Sequence, residues 1–186
     1  MRAHENPFRI SRAEALRFRG AFSLDRLIAR LVALGYRGAI VGPEGSGKTT
    51  LLRELDAELS AAGLSTRFHR FDDVALLRPV ARGTILIIDG AEKLPWVVHL
   101  ALALMTPRLI VTAHGHREGL PVLLECAVNP ELMEDLVVEL VGRDSALLAR
   151  ASHLFGEKRG NIRAVLGALF DVLAEAPDRG LADARE

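Results

Sequence analysis

A short segment at positions 36–41, apolar over its last three residues, empties into Gly42-Pro43-Glu44-Gly45-Ser46-Gly47-Lys48-Thr49, and leucines at helical spacing follow. The octet matches G-x-x-x-x-G-K-[ST] at every fixed position. Such a segment needs one particular setting. A buried strand must enter the turn, small residues must let the backbone curl, and a helix must leave with its positive end facing the concavity. Both flanks comply: 36–41 reads as a short buried strand, and Leu51, Leu52, Leu55 and Leu59 keep helical spacing up to Gly63. Residues 42–49 are therefore expected to cradle the phosphates of a nucleoside triphosphate, with Thr50 adding a contact near the α-phosphate. Lys48 would meet the β- and γ-phosphates, and the Thr49 hydroxyl would ligate magnesium.

The rest of the chain supplies that setting. Ser23 reads as the N-cap of a helix with Leu24, Leu27, Ile28, Leu31 and Val32 on one face, stopping at Gly35. Strands are expected at 66–71, 84–88 and 109–113, the second as an uninterrupted β-branched and leucine run and the third as another strand covered on both faces. A mostly buried helix is expected at 95–105. Strands alternating with helices predict an α/β layer fold with a parallel sheet, and the phosphate loop within it makes the expected core a three-layer α/β/α one of the P-loop NTPase kind. After Asn129-Pro130, an N-cap followed by proline at the first helical position, the strand signal ends. Helices are expected at 132–141, 145–155 and from Asn161, the last with Ile162, Val165, Leu166, Leu169, Phe170 and Leu173 in one stripe. The expected organisation is a core over 1–128, whose first 22 residues form a strap, a helical lid over 129–175, and a flexible tail over 176–186.

A second acidic motif follows the loop. Thr84-Ile85-Leu86-Ile87-Ile88-Asp89 ends a buried strand in an aspartate, and such a strand lies beside the phosphate loop with its carboxylate near the magnesium. The base that orients water stays open between Glu92, three residues on, and Glu44 in the loop itself; Glu92 also suits a first helical turn on electrostatic grounds alone.

Four features in order resemble the AAA+ ATPases and their STAND relatives: 42–49, 85–89, Leu109-Ile110-Val111-Thr112-Ala113-His114 and Gly160-Asn161-Ile162-Arg163. The resemblance spans about residues 7–175. It implies ATP with Mg2+ as the bound nucleotide, His114 as the polar sensor-1 residue with Thr112 as second choice, and Arg163 as the sensor-2 arginine. It further implies that 7–19 straps over the adenine. An arginine is unfavourable in a first helical turn, so an anionic partner would explain Arg163. The chain departs from the family in having Asp89-Gly90 where an adjacent Asp-Glu pair is usual, a pattern closer to the STAND branch. Arg108 and Arg117 are the candidate arginine fingers. His114 with His116 lacks a neighbouring acidic or cysteine partner in sequence, so no metal site is assigned there.

The resemblance implies an ATPase that couples nucleotide state to lid movement and to a separate effector protein, with homo-oligomeric activation left open. Two alternatives stand beside it: a small-molecule kinase and a slow, non-hydrolysing ATP switch. Against the kinase, Arg143, Arg150, Arg159 and Arg163 are scattered along helices rather than gathered in one mobile loop. With 24 basic and 24 acidic residues there is no net field toward nucleic acid, and direct nucleic-acid binding is not expected. Cys126 is the only cysteine, which excludes an internal disulfide. The longest apolar stretch, 96–105, is too short to span a bilayer, and positions 1–7 lack the apolar run of a secretory signal, so a cytoplasmic protein is expected.

Overall fold

The computed structural model describes residues 6–9, 12, 18, 23–73, 78–115 and 119–175. By internal contacts the chain divides into two compact units, Arg17–Ala127 and Met1–Leu16 together with Val128–Glu186.

In the first unit, helix α1 (Leu24–Ala33) is capped by the Ser23 hydroxyl, which accepts from the Arg26 N–H. Strand β1 (Gly38–Val41), helix α2 (Lys48–Ala61) and strand β2 (Thr66–Arg70) follow. Next come β3 (Ile85–Asp89), a 3-10 turn (Ala91–Lys93), α3 (Trp96–Met105), β4 (Leu109–Ala113) and β5 (Val122–Glu125). The five strands form one sheet in the order β2-β3-β4-β1-β5, parallel throughout.

Alternation along the strands builds two separate cores, as a strand's period of two requires. Ile40, Ile85, Ile87 and Ile110 pack with Leu27 and Leu31 of α1 and with Leu51, Leu52, Leu55 and Leu59 of α2. Ala39, Val41, Leu86, Ile88, Leu109 and Val111 pack on the opposite face with Ala91, Leu94, Leu102 and Leu120. The sheet thus lies between two helical layers, the expected three-layer α/β/α arrangement. Strand β5 was not anticipated. It has four residues, begins just after Pro121, and is paired with only one neighbour in the sheet, β1.

Helix α3 departs from expectation in one respect. The helix forms, but Trp96, Val97, Leu100, Leu104 and Met105 are exposed, while His99 and Ala103 are buried. Both of its faces are apolar, and only one is covered.

The second unit contains α4 (Pro130–Val141), α5 (Ser145–Glu157) and α6 (Ile162–Glu175). Each start has a side-chain cap. The Asn129 carboxamide oxygen accepts from Leu132 N–H at 2.8 Å, Asp144 accepts from Ala146 and Leu147 N–H, and Asn161 accepts from Ala164 N–H at 3.0 Å. Met133, Val137, Ala151, Leu154, Val165 and Leu169 form the core, and Phe8 is buried among them. Asn6 fastens this N-terminal piece by donating to the Phe170 carbonyl at 2.9 Å. Residues 176–186 and most of 7–19 lie outside the described residues.

Candidate nucleotide site

Parallel pairing explains how the site residues meet. Val41 is level with Ala113, and Ile88 with Val111, so β1, β3 and β4 end together. In open α/β sheets, ligands sit beyond such carboxyl ends. Gly42 leaves β1 there, its N–H donating to the Ala113 carbonyl at 3.2 Å. Its φ is +152°, and a Cβ on it would stand 2.5 Å from the Cys126 carbonyl oxygen, so only glycine fits. Gly47 adopts a left-handed φ of +83° and caps α2 without a side-chain bond. The first N–H groups of α2 have no acceptor within the helix, and no acidic residue occupies its first turn. That end therefore offers donors and partial positive charge to an anion.

Lys48 is buried, and its Nζ donates to the carbonyls of Gly42 (2.8 Å) and Pro43 (2.7 Å). Burial lowers its pKa, an effect opposed in decreasing order by Glu92, Cys126, Asp89 and Glu44. Ser46 Oγ is buried without a hydrogen-bond partner. Glu44 and Pro43 are exposed at the loop's crest, Gly45 and Thr50 half-buried. Phe18 lies beside the loop, its ring 3.2 Å from where a Gly47 Cβ would be, with its N–H bonded to Glu54 at 2.7 Å.

Asp89 ends β3 as expected. The Thr49 hydroxyl lies within hydrogen-bond distance of both its carboxylate oxygens, 3.1 and 3.0 Å away. The Thr112 hydroxyl donates to Asp89 Oδ1 at 2.8 Å and accepts from the Gly90 N–H at 2.8 Å. A hydroxyl and a carboxylate converging in this way are hard oxygen donors of the kind magnesium takes. The donor set fits the ion.

After Gly90, at φ +85°, the chain enters the 3-10 turn rather than a regular helix. Glu92 sits in that turn with its side chain largely buried, Oε1 3.4 Å from His114 Nε2 and Oε2 without a hydrogen-bond partner. Lys48, Thr49, Asp89, Glu92, Thr112 and His114 thus belong to one unit and one end of its sheet. Arg163 stands on the helical unit, exposed in the first turn of α6. Arg108 lies just before β4, at the opposite end of the sheet, over the Tyr36 ring and bonded to the Gly83 carbonyl. Arg117 and His116 lie outside the described residues, and among those described no group of three or more His, Cys, Asp or Glu could hold a metal.

Cys126 was missed as a neighbour of the loop. It follows β5, which carries no clear pattern of its own. Its N–H donates to Val41 at 2.7 Å, and burial pushes its thiol up to about 11 against the pull of Lys48. No helix among the described residues is long and apolar enough to cross a membrane.

No family model matches the sequence, and no curated protein matches it significantly. Solved structures do resemble it. A DNA replication initiation factor superposes with a TM-score of 0.57 at 17% identity, covering 81% of this chain and 59% of that one. AMPPCP-bound DnaA from Aquifex aeolicus gives 0.53 at 17%, covering 83% and 63%. NtrX from Brucella abortus in complex with ATP gives 0.54 at 16%, covering 90% and 56%. The chain spans under two thirds of the length of each. DnaA and NtrX are AAA+ P-loop ATPases, and at these identities the likeness is one of architecture. The chain has the AAA+ P-loop ATPase fold.

Proposed function

We propose that this chain is a small AAA+/STAND-like ATPase that binds ATP with Mg2+, hydrolyses it, and couples nucleotide state to movement of the helical unit and to a separate effector protein. The observation that carries the reading is the convergence of the Thr49 hydroxyl and the Asp89 carboxylate beside Lys48 and an uncapped helix N-terminus. Structural neighbours described as bound to ATP or AMPPCP support the choice of nucleotide.

Thr49 and Asp89 would hold magnesium, which supplies positive charge against the β- and γ-phosphates. Lys48 exchanges two backbone carbonyls for phosphate oxygens. Glu92 orients a water and accepts its proton as the water oxygen bonds to γ-phosphorus and the bond to the β-phosphate oxygen breaks; ADP and phosphate leave. Thr112 holds Asp89 in position, and His114 steadies Glu92. Arg163 reads the γ-phosphate from the lid.

Phosphate release from ATP with magnesium and no acceptor tests the reading. Release only when a nucleoside or metabolite is added would replace it with a kinase. One observation favours a second reading, a slow switch: Asp89 is followed by Gly90 and Glu92 is engaged by His114. Tight ATP binding without measurable turnover would establish that reading.

Arg163→Ala is expected to lower turnover about 10- to 100-fold while leaving ATP affinity within about threefold, because a sensor acts mainly in the transition state. Equal losses in the two would reduce Arg163 to a ground-state contact. Stopped-flow phosphate release and equilibrium titration on one preparation separate them.

A further inference from the structure

Helix α3 is the least ordinary surface of the molecule. Its ten residues include no charge and one polar side chain, His99. His99 and Ala103 are buried and Val98 and Leu102 partly so, forming the side packed on the sheet. Trp96, Val97, Leu100, Ala101, Leu104 and Met105 recur at helical spacing on the other side, all exposed. Of the seven large apolar residues exposed among the described residues, five belong to this helix, with Trp96 at 73%, Leu104 at 78% and Met105 at 80%. A helix apolar all round is one that is covered all round. Here the fold supplies half the cover.

The face is also held firmly. The Arg37 guanidinium donates to the Thr106 carbonyl at 2.8 Å, to the Gly119 carbonyl at 3.2 Å and to the Ala103 carbonyl, securing the helix's last turn. At the other end the Pro95 carbonyl accepts from Val98 and His99 N–H. A positive guanidinium at a helix C-terminus is electrostatically favoured. The exposed side chains therefore stand on a held backbone, and contact has only the side chains themselves left to order.

The chemistry of the face selects its occupant. A helix that lies on a lipid surface carries lysines and arginines along its polar side, and α3 has none. A charged partner finds no counter-charge on it. What fits is an equally uncharged apolar face, and a second copy of α3 is one. Two copies related by a two-fold axis would cross near Leu100 and Ala101, the middle of the helix, where the small alanine allows close approach. Trp96 of each copy would then lie toward Leu104 and Met105 of the other, the reciprocal pattern of an isologous contact. The exposed side chains offer on the order of 600 Å² per copy, the upper end of what a monomer leaves uncovered. Two copies together would bury roughly 1,200 Å², the lower bound of a specific interface.

We propose that the exposed face of α3 is a two-fold interface between copies of this chain. The proposal goes beyond the nucleotide reading and does not depend on it. Trp96 is the only tryptophan, so indole emission reports on this helix alone. Sedimentation velocity and tryptophan emission are measured together, without nucleotide, from about 1 to about 100 µM, the range of a modest dimer. The mass is expected to double and the emission to shift to the blue in step. Leu104→Glu would bury a charge at the contact and weaken association about 100-fold or more, leaving monomer with red-shifted emission. Circular dichroism checks that the variant is folded; should it not be, Ala101→Arg at the crossing point reads the same loss. A wild-type chain that stays monomeric at about 100 µM overturns the proposal. So does an assembly that survives the folded variant.

Discussion

Lys48→Ala is expected to weaken ATP binding by about 100-fold or more, taking phosphate release with it, since charge-assisted bonds to phosphate are the strongest polar contacts available here. In the structure the ammonium is already desolvated and rests 2.8 and 2.7 Å from the Gly42 and Pro43 carbonyls. Removing it from water lowers its pKa, and Glu92, Cys126, Asp89 and Glu44 around it only partly restore the balance. An anion arriving at the loop relieves that tension by giving the charge a full counter-charge. Little ordering is then left for binding to supply. Lys48→Arg should not rescue the function, because a planar guanidinium fork cannot take the place of a compact ammonium in an enclosed turn. Isothermal titration with ATP and magnesium measures the loss, with a melting curve to check the fold. Unchanged affinity in Lys48→Ala would detach the nucleotide from this loop altogether.

The loop and its flanks were legible in sequence because each element carries its own signal. Residues 42–49 require glycine and lysine at set positions, 85–88 is a continuous apolar run, and 109–113 is apolar apart from Thr112, the pattern of strands covered on both faces. What brings Asp89 to Thr112 is not local. It follows from the parallel register of β3 with β4, which sets the two residues level, and no spacing along the chain encodes that. Strand β5 was missed for a related reason: four residues are too few to show a period, and its pairing with β1 defines it. Helix α3 was legible as a helix and misread in its burial. Periodicity reports which face is apolar, and when both are, it cannot say which one the fold covers. The helical unit announced itself through Asn129-Pro130, whose cap forms as expected. The burial of Phe8 in that unit had no local signature, since one phenylalanine in a polar N-terminal stretch has no period to read.

The second large effect is expected from Glu92→Gln, and it should move rate and affinity in opposite directions. The carboxylate sits in the 3-10 turn, with one oxygen 3.4 Å from His114 Nε2 and the other buried and without a partner. That free oxygen is the feature of a base, because it can accept a hydrogen bond from a water that nothing else at the site claims. Glutamine preserves the shape and can no longer take a proton, so phosphate release should fall about 10²- to 10³-fold, the range that general-base catalysis contributes. Affinity should change the other way. Glu92 is the strongest of the acidic influences on Lys48, and a negative charge beside a triphosphate repels it. Deleting that charge should tighten ATP by about two- to fivefold at low salt, with the gain shrinking as salt rises. Single-turnover phosphate release and an ATP titration at two ionic strengths measure both halves. If Glu92→Gln releases phosphate at the wild-type rate, the base lies elsewhere, and Glu44, exposed at the crest of the loop, becomes the acid to replace next. If rate and affinity fall together, Glu92 supports the loop's shape rather than the reaction. His114→Ala refines the outcome. A residue that steadies the base should cost about tenfold in rate when removed, whereas a rise in rate would mean that the imidazole restrains Glu92 and that the chain is held slow by design.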